Sequence, residues 1–168
     1  MGNFETAERY GRAVFAATTH RSTEIDWAST TARFDGIITY DGPTGGRCAD
    51  LLELKHRSCS PYAFDRSGWA ITVDKYDALM STYEADGGLT DVAYINTHLH
   101  NGRIHVQRWL LNRLPRLPQP TTRRQKKHTV DSNSPWVDVR FYDLPKPDTG
   151  HSGWYSHTTA PAPPDLQR

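Results

Sequence analysis

Two runs of alternating character, ARFDGIITY at 32–40 and ADLLELKHR at 49–57, flank a break made of Asp41-Gly42-Pro43 and Gly45-Gly46. Strand residues alternate between two faces, and a Gly/Pro-rich break between two such runs marks a hairpin with a loose loop. In the second run Leu52 and Leu54 take one face while Glu53, Lys55 and Arg57 take the other. Such a chain must build a sheet, and the charged face of that sheet is either solvated or lines a site. If Asp35 lies in the neighbouring strand, two carboxylates and an ammonium converge at the sheet surface.

The rest of the chain supplies elements to flank this hairpin. Residues 3–18 read as a helix with Phe4, Gly11 and Phe15 on one face and Ala7 and Val14 beside them. Glu8 falls on that apolar stripe and requires a partner there. A short strand is expected near 24–28, and an irregular stretch over 58–69. Thr72 reads as an N-cap, followed by a helix with Tyr76, Leu79, Met80 and Tyr83 at helical spacing and Gly87-Gly88 at its end. Strands at 91–97 and 103–110 are joined by Asn101-Gly102, a strong hairpin signal. Residues 115–135 read as a basic, proline-rich loop or flap, and 136–142 as a late strand. From 146 the chain is Pro, Gly, Ser, Thr and His, the composition of a flexible tail. The expectation is an α/β (α+β) fold: one domain over 1–145 with a central mixed β-sheet flanked by helices, then a tail over 146–168.

Charge distribution points to a polyanionic partner. Fourteen of the nineteen acidic residues lie between Glu5 and Asp91. None occurs from 92 to 130, a stretch that carries eight arginines and lysines. Arg123, Arg124, Lys126 and Lys127 form its densest cluster and are candidates for phosphate contact, as is Arg57. No apolar run approaches the roughly 20 residues needed to cross a bilayer, so no membrane partner is expected. The two cysteines, Cys48 and Cys59, fit a reducing, cytoplasmic setting rather than a disulfide framework. His98, His100 and His105 sit near one another on the second hairpin but are expected to face solvent or lie beside phosphate rather than bind zinc, and Trp109 and Trp136 to pack in or on the sheet.

The chemistry that Asp35, Glu53 and Lys55 could perform is phosphodiester hydrolysis. Two carboxylates, with the backbone carbonyl of Leu54 as a further oxygen ligand, suit a hard divalent cation, Mg²⁺ or Mn²⁺. Such an ion polarises a phosphate and acidifies water, and a lysine can orient or deprotonate that water or stabilise developing charge.

The run RFDGII, followed eighteen residues after Asp35 by the Glu of LLELKHR, resembles the PD-(D/E)xK nuclease superfamily of restriction endonucleases, Holliday-junction resolvases and phage exonucleases. The superfamily core runs helix, strand, strand, strand, helix, strand, and the elements read over 3–110 have that order. The resemblance implies a restriction-endonuclease-like core and a magnesium-dependent nuclease. Its implied substrate is DNA, with RNA left open, and its members' habit of dimerising allows a homodimer. It matches Asp35 and Glu53 to the metal-binding acids and Lys55 to the catalytic lysine. Glu8 matches a first-helix acid of some members, and Lys75 an additional second-helix cation. Phe34 stands where the motif's name has proline, and no separate DNA-reading domain is visible. Two other readings stand beside this one: a nucleic-acid-binding module that does not cut, and an interaction or inhibitor protein that uses its basic surface.

Overall fold

A computed structural model describes residues 3–19, 22–29, 32–57, 60, 69–126, 133–146 and 152–155. The fold is mixed α/β, with helix α1 (Asn3–Ala16), strands β1 (Glu24–Trp27), β2 (Gly36–Asp41), β3 (Arg47–Arg57) and β4 (Trp69–Thr72), and helix α2 (Val73–Ala85). Then come β5 (Asp91–His100), β6 (Arg103–Leu110), a 3₁₀ turn (Leu111–Arg113), β7 (Thr121–Lys126), β8 (Trp136–Leu144) and β9 (Ser152–Tyr155).

Six strands form the central sheet in the order β1-β2-β3-β5-β6-β9. The hairpin expected from sequence is β2–β3, antiparallel with Gly36 opposite Leu52. The second hairpin, β5–β6, turns at Asn101 and Gly102, both at positive φ (50° and 71°), the geometry that dipeptide favours. Only β3 and β5 run parallel. A parallel pair needs a long crossover, and β4 and α2 lie within it.

The pleat of β3 sorts its side chains as the sequence predicts, but both faces are covered. Leu52 and Leu54 pack with Phe15 of α1, Ile38, Ala93 and Ile95. Leu51 joins Val92, Tyr94, Trp109, Leu79 of α2 and Trp69 and Ile71 of β4 in the larger core on the other side. Gly11 lets α1 sit close on β3, because a Cβ there would fall 2.5 Å from the His56 Cβ.

Besides β4, which the sequence reading left between an irregular stretch and the cap of α2, two segments differ from that reading. The 115–135 stretch contains β7, which joins a second sheet in the order β4-β8-β7. Its basic composition suggested a loop, but the open edge of β8 takes up its backbone groups, and such pairing overrides weak local propensity. The expected tail contributes β9, which pairs antiparallel with β6 along Ile104–Gln107. A four-residue strand carrying Trp and Tyr is easily hidden in Gly/Ser/Pro-rich sequence, and the β6 edge supplies its ladder. No helix among the described residues is long and apolar enough to cross a membrane.

Gly36 carries a testable constraint. A Cβ at this position would lie 2.6 Å from the Asp26 carbonyl oxygen, across the β1–β2 ladder. Gly36→Ala is expected to cost about 1–3 kcal/mol by overpacking, read as a lower chemical-denaturation midpoint. An unchanged midpoint would show that β1 yields without penalty.

Candidate functional site

The site lies where β2 begins. The β2–β3 ladder ends at the Gly36–Leu52 pair, and Asp35 stands in the bend just before the strand rather than within it. That bend is pinned at both ends of the residue: the Asp35 N–H donates to the Leu52 carbonyl at 2.9 Å, and the Asp35 carbonyl accepts the Ala28 N–H at 2.9 Å. The register, carried one residue further, sets Asp35 beside Glu53. Its carboxylate Oδ2 accepts the Leu54 N–H at 2.7 Å. The Asp35 side chain is therefore fixed against the backbone between Glu53 and Lys55. In an extended strand the N–H and C=O of one residue point to the same side, so the Leu54 carbonyl lies on the edge that Asp35 faces, beyond the reach of the β2 ladder.

Glu53 is fully buried, at 0% exposure, opposite Tyr94 of β5. A buried carboxylate is costly unless cations accompany it, and two do. Lys55 Nζ lies 2.6 Å from Glu53 Oε1, and Lys75 Nζ lies 3.0 Å from Oε2. Lys75 also donates to the Arg33 carbonyl at 3.0 Å, which ties α2 to the bend carrying Asp35. The Oε1 contact is an ion pair off the hydrogen-bonding direction, so this buried oxygen has no hydrogen-bond partner among the described residues. Burial pulls the Lys55 pKa down, but the negative charge of Glu53, with smaller effects of Tyr94 and Asp35, prevails and raises it. Lys55 is thus an ammonium at neutral pH. An open, shallow cleft lined by Arg33, Thr72, Asp74, Lys75 and Ala78 adjoins the cluster.

The structure brings together Asp35, Glu53, Leu54, Lys55 and Lys75. It places the remaining candidates elsewhere. Glu8 has its required partner in Arg12, at 2.6 Å, and Arg12 in turn covers the Trp27 ring. Helix α1 packs on the Leu52/Leu54 face, whereas Glu53 and Lys55 lie on the other, so Glu8 is set apart from the cluster by the sheet. Arg57 donates to the Asn96 side chain at 3.3 Å.

The basic run divides between two faces. Arg123 pairs with Asp143 and lies over Phe141. Arg124 lies on the opposite face, and Lys127 falls outside the described residues. Cys59 also falls outside them.

Three expectations about aromatic residues and histidines resolve differently. Trp109 is buried in the core, as its type suggests. Trp136, at the start of β8, is 57% exposed and lies outside the core. His98 is fully buried instead of facing solvent, because the Trp69 ring of β4 packs against it on one side and His105 of β6 lies beside it. No group of three His, Cys, Asp or Glu side chains is arranged to hold a metal ion among the described residues.

Sequence reasoning missed a second buried carboxylate in β3, Asp50, which accepts from Arg108 at 2.5 Å and from the Tyr40 hydroxyl at 3.2 Å. Asp50 sits on the opposite face from Glu53 and is one residue before the Leu51 core position, so strand alternation alone could not separate it from a solvated charge.

No protein-family model, curated protein or solved structure matches the chain.

Proposed function

We propose that this protein is a divalent-metal-dependent nuclease that hydrolyses phosphodiester bonds in DNA, with its chemistry centred on Asp35, Glu53 and Lys55. One observation carries the reading: a carboxylate fixed by the Leu54 N–H at 2.7 Å stands next to a fully buried second carboxylate faced by a lysine at 2.6 Å.

The donor set fits a hard cation. Asp35, Glu53 and the Leu54 carbonyl offer oxygen alone, with neither thiolate nor imidazole, which suits Mg²⁺ or Mn²⁺ better than zinc. Glu53 Oε1 makes an ion pair with Lys55 but has no hydrogen-bond partner among the described residues, so it keeps acceptor capacity that a cation could use. When bound, the ion would supply Lewis-acid polarisation of the phosphodiester and acidification of the attacking water.

The chain's own residues do the rest. Lys55 is held charged by Glu53, so it acts as an electrostatic group that stabilises charge growing on phosphate oxygens and orients water. A raised pKa removes it from the role of proton acceptor at neutral pH. Lys75 holds the second Glu53 oxygen and, through Arg33, the approach of the Asp35 bend. The Leu54 N–H fixes the Asp35 rotamer before substrate arrives, so no ordering of that side chain is left for the reaction.

A second reading has its own support. Two lysines on one buried carboxylate are also what a purely structural ion cluster would need. On that reading the chain binds nucleic acid without cutting it, or binds a protein partner.

Plasmid nicking with Mg²⁺, with Mn²⁺ and with EDTA separates the two. The proposal expects nicking that requires the divalent ion and is lost in Lys55→Ala while DNA binding persists. Binding with no nicking under any divalent ion would leave the structural reading standing.

A further inference from the structure

We propose that one face of the β7–β8 ribbon is a docking surface for single-stranded nucleic acid, with Trp136 as the base-stacking platform. The inference deepens the nuclease reading by naming how its substrate is held, and it rests on a different part of the molecule.

The pairing register defines the face. Residues directly opposite in an antiparallel ladder share a face, and Lys126 pairs with Trp136, Arg124 with Asp138 and Thr122 with Arg140. Further along β8 the same face carries Tyr142 and Leu144, which enter the main core, Tyr142 against Tyr76 at 5.0 Å. Tyr76 follows Lys75, the residue that contacts Glu53. The face is thus anchored beside the helix that serves the candidate site and runs outward from it. Trp136 lies six residues from Tyr142, about 20 Å at strand spacing.

Beyond Tyr142 the face is largely exposed, and its chemistry is mixed in a particular way. It presents two exposed cations, Arg124 and Arg140, against one exposed carboxylate, Asp138, with the half-buried Lys126 beside Trp136. Trp136 is the one large hydrophobic residue exposed among the described residues, at 57%. A single exposed indole does not by itself mark a site; what sets this one apart is the exposed arginines on the same face of the ribbon. Cations alone would suit any polyanion, and an indole alone any apolar partner. Together, on one face of a two-stranded ribbon, they suit a chain that offers phosphates and an open aromatic face at once. A single strand does so, because its bases are not sequestered in pairs. A duplex offers its phosphates but keeps its base faces stacked. The other sign of the same selectivity is Arg123, which points to the opposite face and is neutralised by Asp143.

The test uses the full chain in EDTA, so that no cutting occurs, and measures anisotropy of a fluorescent oligothymidine and of a duplex of equal length across a salt series. Trp136→Ala is expected to weaken single-strand binding about five- to a hundredfold, with duplex binding, salt slope and thermal midpoint unchanged. Trp136→Phe retains most of the affinity. Arg124→Ala and Arg140→Ala each reduce the salt slope for the single strand by about 0.7. The proposal is overturned if Trp136→Ala binds oligothymidine as the parent does, if it loses duplex affinity equally, or if the parent binds neither at low salt. Binding that needs Trp136 in a protein that nicks under no divalent ion would sustain the docking surface and refute the nuclease site. Nicking that needs Lys55 but not Trp136 would do the reverse.

Discussion

Lys55→Ala is expected to lower the divalent-dependent cleavage rate by about a hundred- to a thousandfold, with little change in affinity for uncut DNA. The magnitude is that of removing one preorganised charge aimed at an oxygen that becomes more negative in the transition state. Lys55 is placed for this role by its own strand: it shares a face with Glu53, and the carboxylate holds its Nζ at 2.6 Å. Its side chain remains 43% exposed, so the ammonium can turn toward a phosphate without unfolding anything.

The pKa direction adds a pH signature. The folded-state pKa of Lys55 is raised, burial pulling it down and Glu53 pushing it further up. The stabilisation from this pair is therefore fully present below the ordinary lysine value and is lost as pH rises through the raised one. The cleavage rate should accordingly show no fall attributable to Lys55 between neutral and mildly alkaline pH. Single-turnover rates across that range check it. A rate that climbs with a lysine-like titration below the ordinary value would mean that the neutral amine does the work, and would overturn the electrostatic role. A Lys55→Arg variant should retain part of the rate, because the charge survives while the point-like geometry does not.

How much of this was open to reading from sequence depended on the range of the interactions involved. The β2–β3 hairpin was legible because alternation and the Gly/Pro turn are local, and the Leu52/Leu54 against Glu53/Lys55 sorting follows from the pleat alone. The Asn101-Gly102 turn was legible for the same reason. The partner of Glu8 was legible as a need but not as an identity, although Arg12 stands one helical turn away. What was not legible depends on pairing at long range. β7 and β9 exist because edges of β8 and β6 are open to them. Asp35 was read as a strand residue because DGII continues the alternation, yet the strand begins only at Gly36. The bend forms because Ala28 and Leu52 capture its backbone groups from two different strands. Lys75 reached Glu53 only through the crossover geometry, which no local pattern encodes. Burial of both sheet faces likewise turned an apparently solvated Glu53 into a buried one.

Glu53→Leu distinguishes a functional carboxylate from a structural one, because it is expected to reduce cleavage to background while leaving stability unchanged or raising it by up to about 1 kcal/mol. The carboxylate sits at 0% exposure on the core side of β3, near Leu51 and Tyr94, where an apolar side chain of similar size has suitable neighbours. Its desolvation is offset by Lys55 and Lys75, both of which keep contact with solvent, at 43% and 31% exposure, and can withdraw into it once the carboxylate is gone. Asp50 provides the contrast within the same strand. It is 1% exposed and burial pushes its pKa up, but it is held by the Tyr40 hydroxyl and by Arg108, whose Nε is itself buried. Asp50→Leu strands those donors and is expected to cost about 3 kcal/mol. Urea denaturation in EDTA compares the two variants without any contribution from bound metal. Adding Mn²⁺ should then raise the midpoint of the parent but not of Glu53→Leu, because an ion that binds only the folded state stabilises it. If Glu53→Leu instead loses as much stability as Asp50→Leu, and Mn²⁺ shifts neither parent nor variant, Glu53 is a structural link between β3 and α2, and the two lysines are there to hold the fold.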